Sequence, residues 1–291
     1  MLYILCFMDV FVRIKVKLFL KKVTRSLCAI KMLTTLSMVL TFSLRGQDVC
    51  SSARIITYKV SIWIQRTAVE VVDDLRGTSL FLVGKCIDGM SCFDVIGMNC
   101  TMKTDLGKIL ADSLRYYYFD SDSLIQQAAG GTSAAKTFRE EDEKGFQSAE
   151  TEVLKQLSAM GRLVVCAGDG AVQSATNLSY LRYGVSIWVD VPLDYLANEF
   201  MVSEASSSIM STTQETDQFT KVMNVLLRQY NKLKEGFAIA DTTVSLLKVA
   251  SQLGHEDLTA VTAEDMALET LKGIQKLTRV KKMMEEAGRP F

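Results

Sequence analysis

Gly97, Lys103 and Thr104 have the types and the spacing of a phosphate-binding loop. They lie in the stretch GMNCTMKT, residues 97–104, which aligns with the pattern G-x-x-x-x-G-K-[ST]. In that pattern the backbone amides surround a phosphate, the lysine neutralises its charge and the hydroxyl reaches Mg²⁺. Met102 occupies the position of the second glycine. The stretch therefore indicates a nucleotide-phosphate site in which one required residue has been replaced.

Two carboxylates lie in a second stretch that could carry chemistry. Asp120 and Asp122 end the segment YYYFDSD, residues 116–122, which its aromatic side chains predict to be a strand. Acids at positions i and i+2 of a strand project to the same side, so both would point into a cleft beyond the sheet. The alternative is that these acids cap the following helix, because Asp and Ser are favoured at that position.

The composition argues against several kinds of site. The chain has 33 basic and 33 acidic side chains among 291 residues, and residues 1–50 hold eight of the basic but only two of the acidic ones. The remainder is acidic overall and lacks the clustered basic face of nucleic-acid-binding proteins, so we expect no nucleic-acid partner. The seven cysteines include no C-x-x-C pair and His255 is the single histidine. We therefore expect neither a zinc site nor a disulfide framework.

Residues 1–50 lack the pattern of a folded domain. This N-terminal segment is basic and contains no glutamate, as in organelle transit peptides. Its apolar run Leu33–Phe42 is shorter than the ~20 residues that span a bilayer, so we expect no stable membrane span. We interpret the segment as transit-like or otherwise outside the core, and an incorrectly assigned gene start is the alternative.

Apolar runs and helical periodicity alternate along the rest of the chain. Short apolar runs, typical of buried parallel strands, begin at Thr78, Tyr116, Arg162, Val185 and Thr242. Amphipathic helical patterns occupy residues 103–114, 143–161, 217–241 and 262–287. Strands that alternate with helices predict an α/β fold, in which a parallel sheet is covered by helices on both faces.

From about Leu75 onward, the order of these motifs resembles shikimate kinase, a small P-loop kinase of the nucleoside monophosphate kinase type. The matching segments include KTDLGKILADSL, YYYFDSD, RLVVCAGDGAV and SIWVDVPLD. The resemblance is closer still to the plant shikimate kinase-like proteins, a plastid branch regarded as non-catalytic. The segments LRYYYFDSDSL, AGDGAVQS and LTRVKKMMEEAGRPF carry this closer likeness. The resemblance implies the fold of a P-loop kinase.

The resemblance also divides the chain into parts. Residues 51–74 are a lead-in to which the sequence assigns no structure, and residues 75–291 form the shikimate kinase-like domain. Residues 85–97 are an insertion after the first strand, which is either a real loop or retained intron sequence. Residues 202–216 are small and polar, and we interpret them as the remnant of a lid.

Within this resemblance, Asp120 and Thr104 correspond to the Mg²⁺ ligands. Asp122 corresponds to the residue that binds the shikimate hydroxyls and helps to activate the nucleophile. The phosphate loop departs from the family, because Cys100 and Met102 replace glycine. A side chain there would occupy the space of the β-phosphate or open the loop, at about 1–3 kcal/mol of strain per residue. We therefore expect no required cofactor and at most weak binding of Mg-ATP.

The residues that would hold shikimate depart from the family as well. Gln147 and Leu233 replace two anchoring arginines, and Asp169 replaces the middle member of a triple glycine, between Gly168 and Gly170. The lid remnant contains no arginine or lysine. Shikimate is an anion, so lost cations and a gained carboxylate both weaken its binding. Each charge-assisted hydrogen bond that is lost is worth about 1.5–3 kcal/mol.

These departures favour a plastid protein without kinase activity, with a binding or regulatory role in the stroma and an unidentified protein partner. The resemblance implies a connection with chloroplast development. The main alternative is an active ATP-dependent kinase for shikimate or a less anionic acceptor, with Asp122 as the base and Lys103 as the phosphate clamp. A product that does not fold fully is a third alternative. The segment RVKKMMEEA near the C-terminus is either a solvated helix face or a contact surface.

Overall fold

Five short strands form the sheet around which the chain is arranged. The structure, a computed structural model, describes residues 51–85, 101–207 and 215–288. The strands are β1 (Leu80–Val83), β2 (Tyr117–Asp120), β3 (Leu163–Cys166), β4 (Val185–Asp190) and β5 (Thr242–Ser245). Neighbouring strands are all parallel, in the order β2-β3-β1-β4-β5. The predicted α/β fold with a parallel sheet is confirmed.

Ten helices surround the sheet in these described ranges. They are α1 (Ser51–Leu75), α2 (Thr101–Leu114), α3 (Ser121–Ala129), α4 (Thr132–Glu141), α5 (Glu143–Ser158), α6 (Ala175–Leu181), α7 (Leu193–Ser207), α8 (Glu215–Phe237), α9 (Leu246–Leu253) and α10 (Ala263–Ala287). Two short 3-10 turns span Asp169–Val172 and Leu258–Ala260. Among the helices described, none combines the length and the hydrophobicity needed to cross a membrane.

The central strand β1 shows why helices cover both faces of the sheet. All four of its residues are buried, as its uninterrupted apolar run predicts. Leu80 and Leu82 belong to the larger hydrophobic core, to which α1, α2 and α10 contribute. Phe81 and Val83 belong to the second core, to which α5 contributes. Alternate side chains of a strand point to opposite faces, so β1 takes part in both cores.

The lead-in, residues 51–74, lies within helix α1. Four apolar side chains at helical spacing are buried in the larger core: Ile64, Ala68, Val71 and Leu75. The helix packs against α10, and Gln275 Nε2 donates a hydrogen bond of 2.8 Å to Glu70 Oε2 between the two. This segment is therefore part of the hydrophobic core, although the sequence assigned no structure to it.

Several predicted features lie outside the described residues. They include the whole N-terminal segment and residues 208–214 of the lid remnant. Of the insertion after β1, Lys85 alone is described. Gly97 and Cys100 of the phosphate-loop pattern are also outside the described ranges.

Candidate functional site

The carboxyl ends of three neighbouring strands converge where the sequence places the functional residues. Strand β1 leads into Gly84 and Lys85, β3 leads into Gly168, and β2 ends at Asp120. In open parallel sheets, ligands bind beyond the carboxyl ends of the strands. This edge is therefore the candidate site.

Lys103, the lysine of the phosphate-loop pattern, is buried between two strand ends. Its side chain leaves the first turn of α2, and the residue is 4% exposed. The ammonium Nζ donates to the carbonyl oxygen of Ala167 at 2.9 Å and to that of Gly84 at 3.5 Å. The positive charge of Lys103, which could otherwise bind a phosphate, is therefore hydrogen-bonded to the carbonyl oxygens at the ends of β1 and β3.

Met102, which replaces a glycine in that pattern, packs into the larger hydrophobic core. The residue is 8% exposed and lies in the first turn of α2. The sequence argument expected a side chain here to occupy the space of the β-phosphate or to open the loop; Gly97 and Cys100 of that loop lie outside the described residues, so this expectation stays a prediction. The side chain of a residue in this turn can turn toward the sheet, where its apolar surface is removed from water.

The resemblance assigns Asp120 and Thr104 to Mg²⁺ binding, and this assignment stays a prediction. Asp120 is the N-cap of α3, because its Oδ1 accepts a hydrogen bond of 3.0 Å from the backbone N–H of Ser123. This is the capping role that the sequence left open as the alternative. In the described part of the chain, no group of three or more His, Cys, Asp or Glu side chains could hold a metal ion.

Asp122 lies in the first turn of α3, since β2 ends two residues earlier. The expectation that both acids project from one strand end is therefore wrong, although both remain at the same edge of the sheet. The Asp122 carboxylate lies against Gly168, where an added Cβ would overlap it. Burial raises the pKa of Asp122 to about 6; Lys103 lowers this pKa, and Asp120 and Asp169 raise it.

Glu150 is a second buried carboxylate at this edge. It comes from the inward face of α5, is 8% exposed and lies against Gly170. Burial is the largest cause that raises the pKa of Glu150 to about 7, and the negative charge of Asp122 raises it further. In the sequence, a buried carboxylate is indicated by an acid on a helix face that is otherwise apolar. Here that face is formed by Phe146, Val153, Leu154 and Leu157.

The glycine-rich turn after β3 is held by hydrogen bonds from the surrounding helices. The backbone N–H of Gly168 donates to Ser121 Oγ at 2.9 Å. Asn177 Nδ2 donates to the carbonyl oxygen of Gly170 at 2.8 Å, and Thr151 Oγ1 donates to Asn177 Oδ1 at 2.9 Å. These bonds join α3, α5 and α6 to the turn, so the position of Asp169 is well defined.

Asp169, the carboxylate gained between Gly168 and Gly170, is paired with Lys85. Lys85 Nζ forms an ion pair with Asp169 Oδ2, and the side chains are only 4% and 12% exposed. The sequence argument counted Asp169 as a gained carboxylate that weakens the binding of an anion. The structure adds the adjacent ammonium of Lys85, which offsets part of that negative charge.

Gln147, which replaces an anchoring arginine, points away from the site. It is exposed, and its Nε2 donates to Glu143 Oε1 at 3.3 Å on the same helix. A different cation, Arg139 of α4, approaches the site, with its guanidinium 4.8 Å from the centre of the Phe146 ring. The positive charge of Arg139 lowers the pKa of both buried acids, Asp122 and Glu150. Nothing in the local sequence pattern had singled out this arginine.

Leu233, which replaces the third anchor, belongs to the second hydrophobic core. It is 7% exposed and shares that core with Val172 and Phe237. Its side chain therefore contributes apolar packing between α8 and the turn after β3.

The site brings together four acidic and three basic side chains. The acids are Asp120, Asp122, Glu150 and Asp169, and the bases are Lys85, Lys103 and Arg139. The acids offset the charges of the bases, and backbone carbonyls engage Lys103 in addition. Chemically, this arrangement can hold protons on buried carboxyl groups near neutral pH, but it offers little uncompensated positive charge to an anion.

Comparison with known proteins gives a consistent result. The family model described as shikimate kinase matches residues 99–253. A protein of Arabidopsis thaliana named "Probable inactive shikimate kinase like 1, chloroplastic" is 52% identical over 231 residues, which are 78% of this chain and 73% of the relative. "Shikimate kinase 2, chloroplastic" of Oryza sativa subsp. japonica is 35% identical over 74% of this chain and 66% of the relative.

Solved structures of the same kind of enzyme also match. The shikimate kinase from Acinetobacter baumannii, solved in complex with shikimate, superposes with a TM-score of 0.48 and 23% identity. The superposition covers 68% of this chain and 93% of the bacterial one.

Proposed function

This chain belongs to the shikimate kinase family, and we propose that it is a member without kinase activity that serves as a protein-binding module in the plastid stroma. The observation that carries the proposal is the buried ion pair between Lys85 and Asp169. Lys85 is paired with Asp169, and Lys103 is hydrogen-bonded to backbone carbonyl oxygens. The two ammonium groups that a phosphate or a carboxylate would need are therefore already occupied.

The energetic argument concerns what an anion would have to displace. Removing one partner of a buried ion pair typically costs about 3–5 kcal/mol, because the other charge is left unpaired. An incoming anion would compete with Asp169 for Lys85 and with Ala167 and Gly84 for Lys103. Each new charge-assisted hydrogen bond is worth only about 1.5–3 kcal/mol, so binding has little net advantage.

The residues that replace the two anchoring arginines supply no positive charge to compensate for this competition. Gln147 is exposed and bonded to its own helix, and Leu233 is buried in an apolar core. Asp122 and Glu150 place two further acids beside the turn that would receive an anionic substrate. The name of the Arabidopsis relative, which contains the words "Probable inactive" and "chloroplastic", supports the same interpretation.

The proposed protein-binding role rests on the parts of the fold that this chain retains. Both hydrophobic cores and the parallel sheet are intact, so the fold can present surfaces to a protein partner. We propose that this binding has a regulatory role connected with chloroplast development.

A phosphate-transfer assay tests the loss of activity. The purified protein is incubated with ATP, Mg²⁺ and shikimate, and the rice chloroplast shikimate kinase serves as the positive control. We expect no shikimate phosphorylation above a blank without protein. Turnover comparable to that of the control would overturn the proposal.

A thermal unfolding scan with nucleotide tests ligand binding independently of turnover. A ligand at 100 times its dissociation constant stabilises the folded state by about 2.7 kcal/mol. We expect no rise in Tm at millimolar Mg-ATP. A clear rise would show that the nucleotide site is competent, and would favour the alternative of an active kinase with another acceptor.

A further inference from the structure

A groove runs along the edge strand β5, which lies at the opposite edge of the sheet from β2. Strand β5 pairs only with β4, so one of its edges carries backbone N–H and C=O groups without a strand partner among the described residues. The groove has a volume of about 460 Å³, and all four residues of β5 line it, together with one face of α10.

Helix α10 packs against β5, closely so at Gly273, and lines the groove beyond that residue. At Gly273, an added Cβ would lie 3.0 Å from Thr242 Oγ1, which is tighter than ordinary packing. Towards its C-terminal end, α10 lines the groove with Lys276, Leu277, Val280 and Lys281. The groove therefore combines a free strand edge with one wall that is apolar and basic.

The charge of the groove is positive. Lys248, Lys276 and Lys281 line it, and none of the three forms an ion pair with a carboxylate of the described residues. The two acids that line the groove are already engaged. Glu269 pairs with Lys272 at 3.4 Å, and Asp241 Oδ2 accepts hydrogen bonds of 2.8 and 2.9 Å from the backbone N–H and the hydroxyl of Ser186.

The apolar wall continues beyond the groove. Met284 lies four residues after Val280, on the same face of α10, and next to Met283. These three side chains are 50–69% exposed. Exposed methionines beside lysines are typical of surfaces that bind segments of other proteins.

We propose that this groove binds an extended acidic segment of another protein, which adds to the free edge of β5 as a sixth strand. The segment's backbone would pair with β5, its apolar side chains would contact Leu277 and Val280, and its carboxylates would face the three lysines. Nucleic acid would use the lysines but leave the strand edge and the apolar wall without a role. The inference gives the partner chemistry for the binding role proposed above, but it does not depend on the absence of kinase activity.

Fluorescence anisotropy of a labelled peptide tests the proposal on the full chain. The probe is an eight-residue peptide in which Glu alternates with Val. We expect saturable binding that weakens as ionic strength rises, because the carboxylates face exposed lysines. No saturable binding at protein concentrations up to about 1 mM, where even a weak complex is detected, would overturn the proposal.

A matched pair of lysine variants tests the position of the binding site. Lys281 lines the groove and Lys282 does not, although both are exposed and each has a glutamate four residues later. We expect Lys281→Glu to weaken peptide binding about tenfold and Lys282→Glu to change it less than about twofold, since Coulomb interactions with exposed charges fall off steeply with distance. Equal effects of the two substitutions would contradict the groove as the site.

Two further probes distinguish strand addition from charge attraction alone. A peptide of the same sequence with methylated backbone nitrogens cannot donate the strand hydrogen bonds, so we expect its binding to be lost. A single-stranded DNA oligonucleotide should bind more weakly than the acidic peptide. Unchanged binding of the methylated peptide, or tighter binding of DNA through the same lysine, would overturn the proposal. Phosphate transfer measured on the same preparations would overturn the proposed loss of kinase activity alone.

Discussion

Lys85 and Asp169 form an ion pair that is almost completely removed from solvent, although they are 84 positions apart in the chain. One residue follows the central strand β1 and the other begins the turn after the adjacent strand β3. The pair therefore joins the ends of two neighbouring strands, at the place where a kinase of this fold would receive its ligands. The carboxylate of Asp169, which the sequence argument counted against anion binding, is therefore paired with the lysine that follows β1.

Breaking this pair should destabilise the fold. We expect Lys85→Met or Asp169→Ala to lower the free energy of unfolding by about 3–5 kcal/mol, because each leaves one buried charge unpaired. The double variant should lose clearly less than the sum of the two, since neither charge then remains. Urea unfolding of the four proteins measures this coupling.

An exposed pair provides the control for that experiment. Lys155 and Glu152 lie 3.2 Å apart on α5, and their side chains are 56% and 44% exposed. We expect Lys155→Met to cost less than about 1 kcal/mol, as is usual for surface pairs. If the stability costs of Lys85→Met and Asp169→Ala simply added up in the double variant, the two charges would not interact as the structure indicates.

The stability of the protein should depend on pH through Glu150. Burial raises the pKa of Glu150 from 4.5 to about 7, so the folded protein binds more protons than the unfolded chain between these values. The free energy of unfolding should therefore fall as the pH rises from about 5 to 7. Urea unfolding at several pH values measures the slope, and Glu150→Gln should reduce it most between about pH 6 and 7, because Asp122, whose pKa is raised to about 6, contributes a slope of the same sign at lower pH.

Substitution of Arg139 should extend the pH dependence that Glu150→Gln reduces. Its positive charge lowers the pKa of Glu150, so Arg139→Met should raise that pKa further. The fall in stability should then extend to higher pH. Glu152→Gln, at an exposed position of the same helix, should leave the slope unchanged. A slope that Glu150→Gln does not alter would assign the pH dependence to other groups.

Helix α1 should be part of the cooperative fold. Ile64 is 3% exposed in the larger core, and Ile62, two residues earlier, is 48% exposed. We expect Ile64→Ala to cost about 2–5 kcal/mol of unfolding free energy, and Ile62→Ala to cost less than about 1 kcal/mol. Similar small costs at both positions, measured by urea unfolding, would mean that α1 does not fold with the sheet.

The sequence predicted those parts of the fold whose signals are local. The apolar run of β1 and the helical period of α2 are properties of short segments, and the structure has both elements where they were predicted. The last helix, α10, begins at Ala263, and its N-cap Thr262 forms a capping box with Asp265. Such patterns need no knowledge of the rest of the chain.

The parts that the sequence did not predict depend on distant residues. The ion pair between Lys85 and Asp169 requires the register of β1 and β3, which no local pattern specifies. The segment YYYFDSD was predicted to be a strand throughout, but α3 begins at Ser121, because Asp120 caps it. Arg139 reaches the site only because α4 and α5 bring it over Phe146.

Restoring the missing glycine of the phosphate loop should harm the protein. Met102 is buried in the larger core, so Met102→Gly would remove apolar packing and place a glycine in a helix, at about 3–6 kcal/mol in total. Met102→Leu, which conserves the volume, should cost less than about 1.5 kcal/mol. Urea unfolding compares the two.

We also expect Mg-ATP to leave the Tm of Met102→Gly unchanged, because Lys103 would still donate to Ala167 and Gly84. A nucleotide-dependent rise in Tm for this variant would show instead that the side chain of Met102 is what prevents binding.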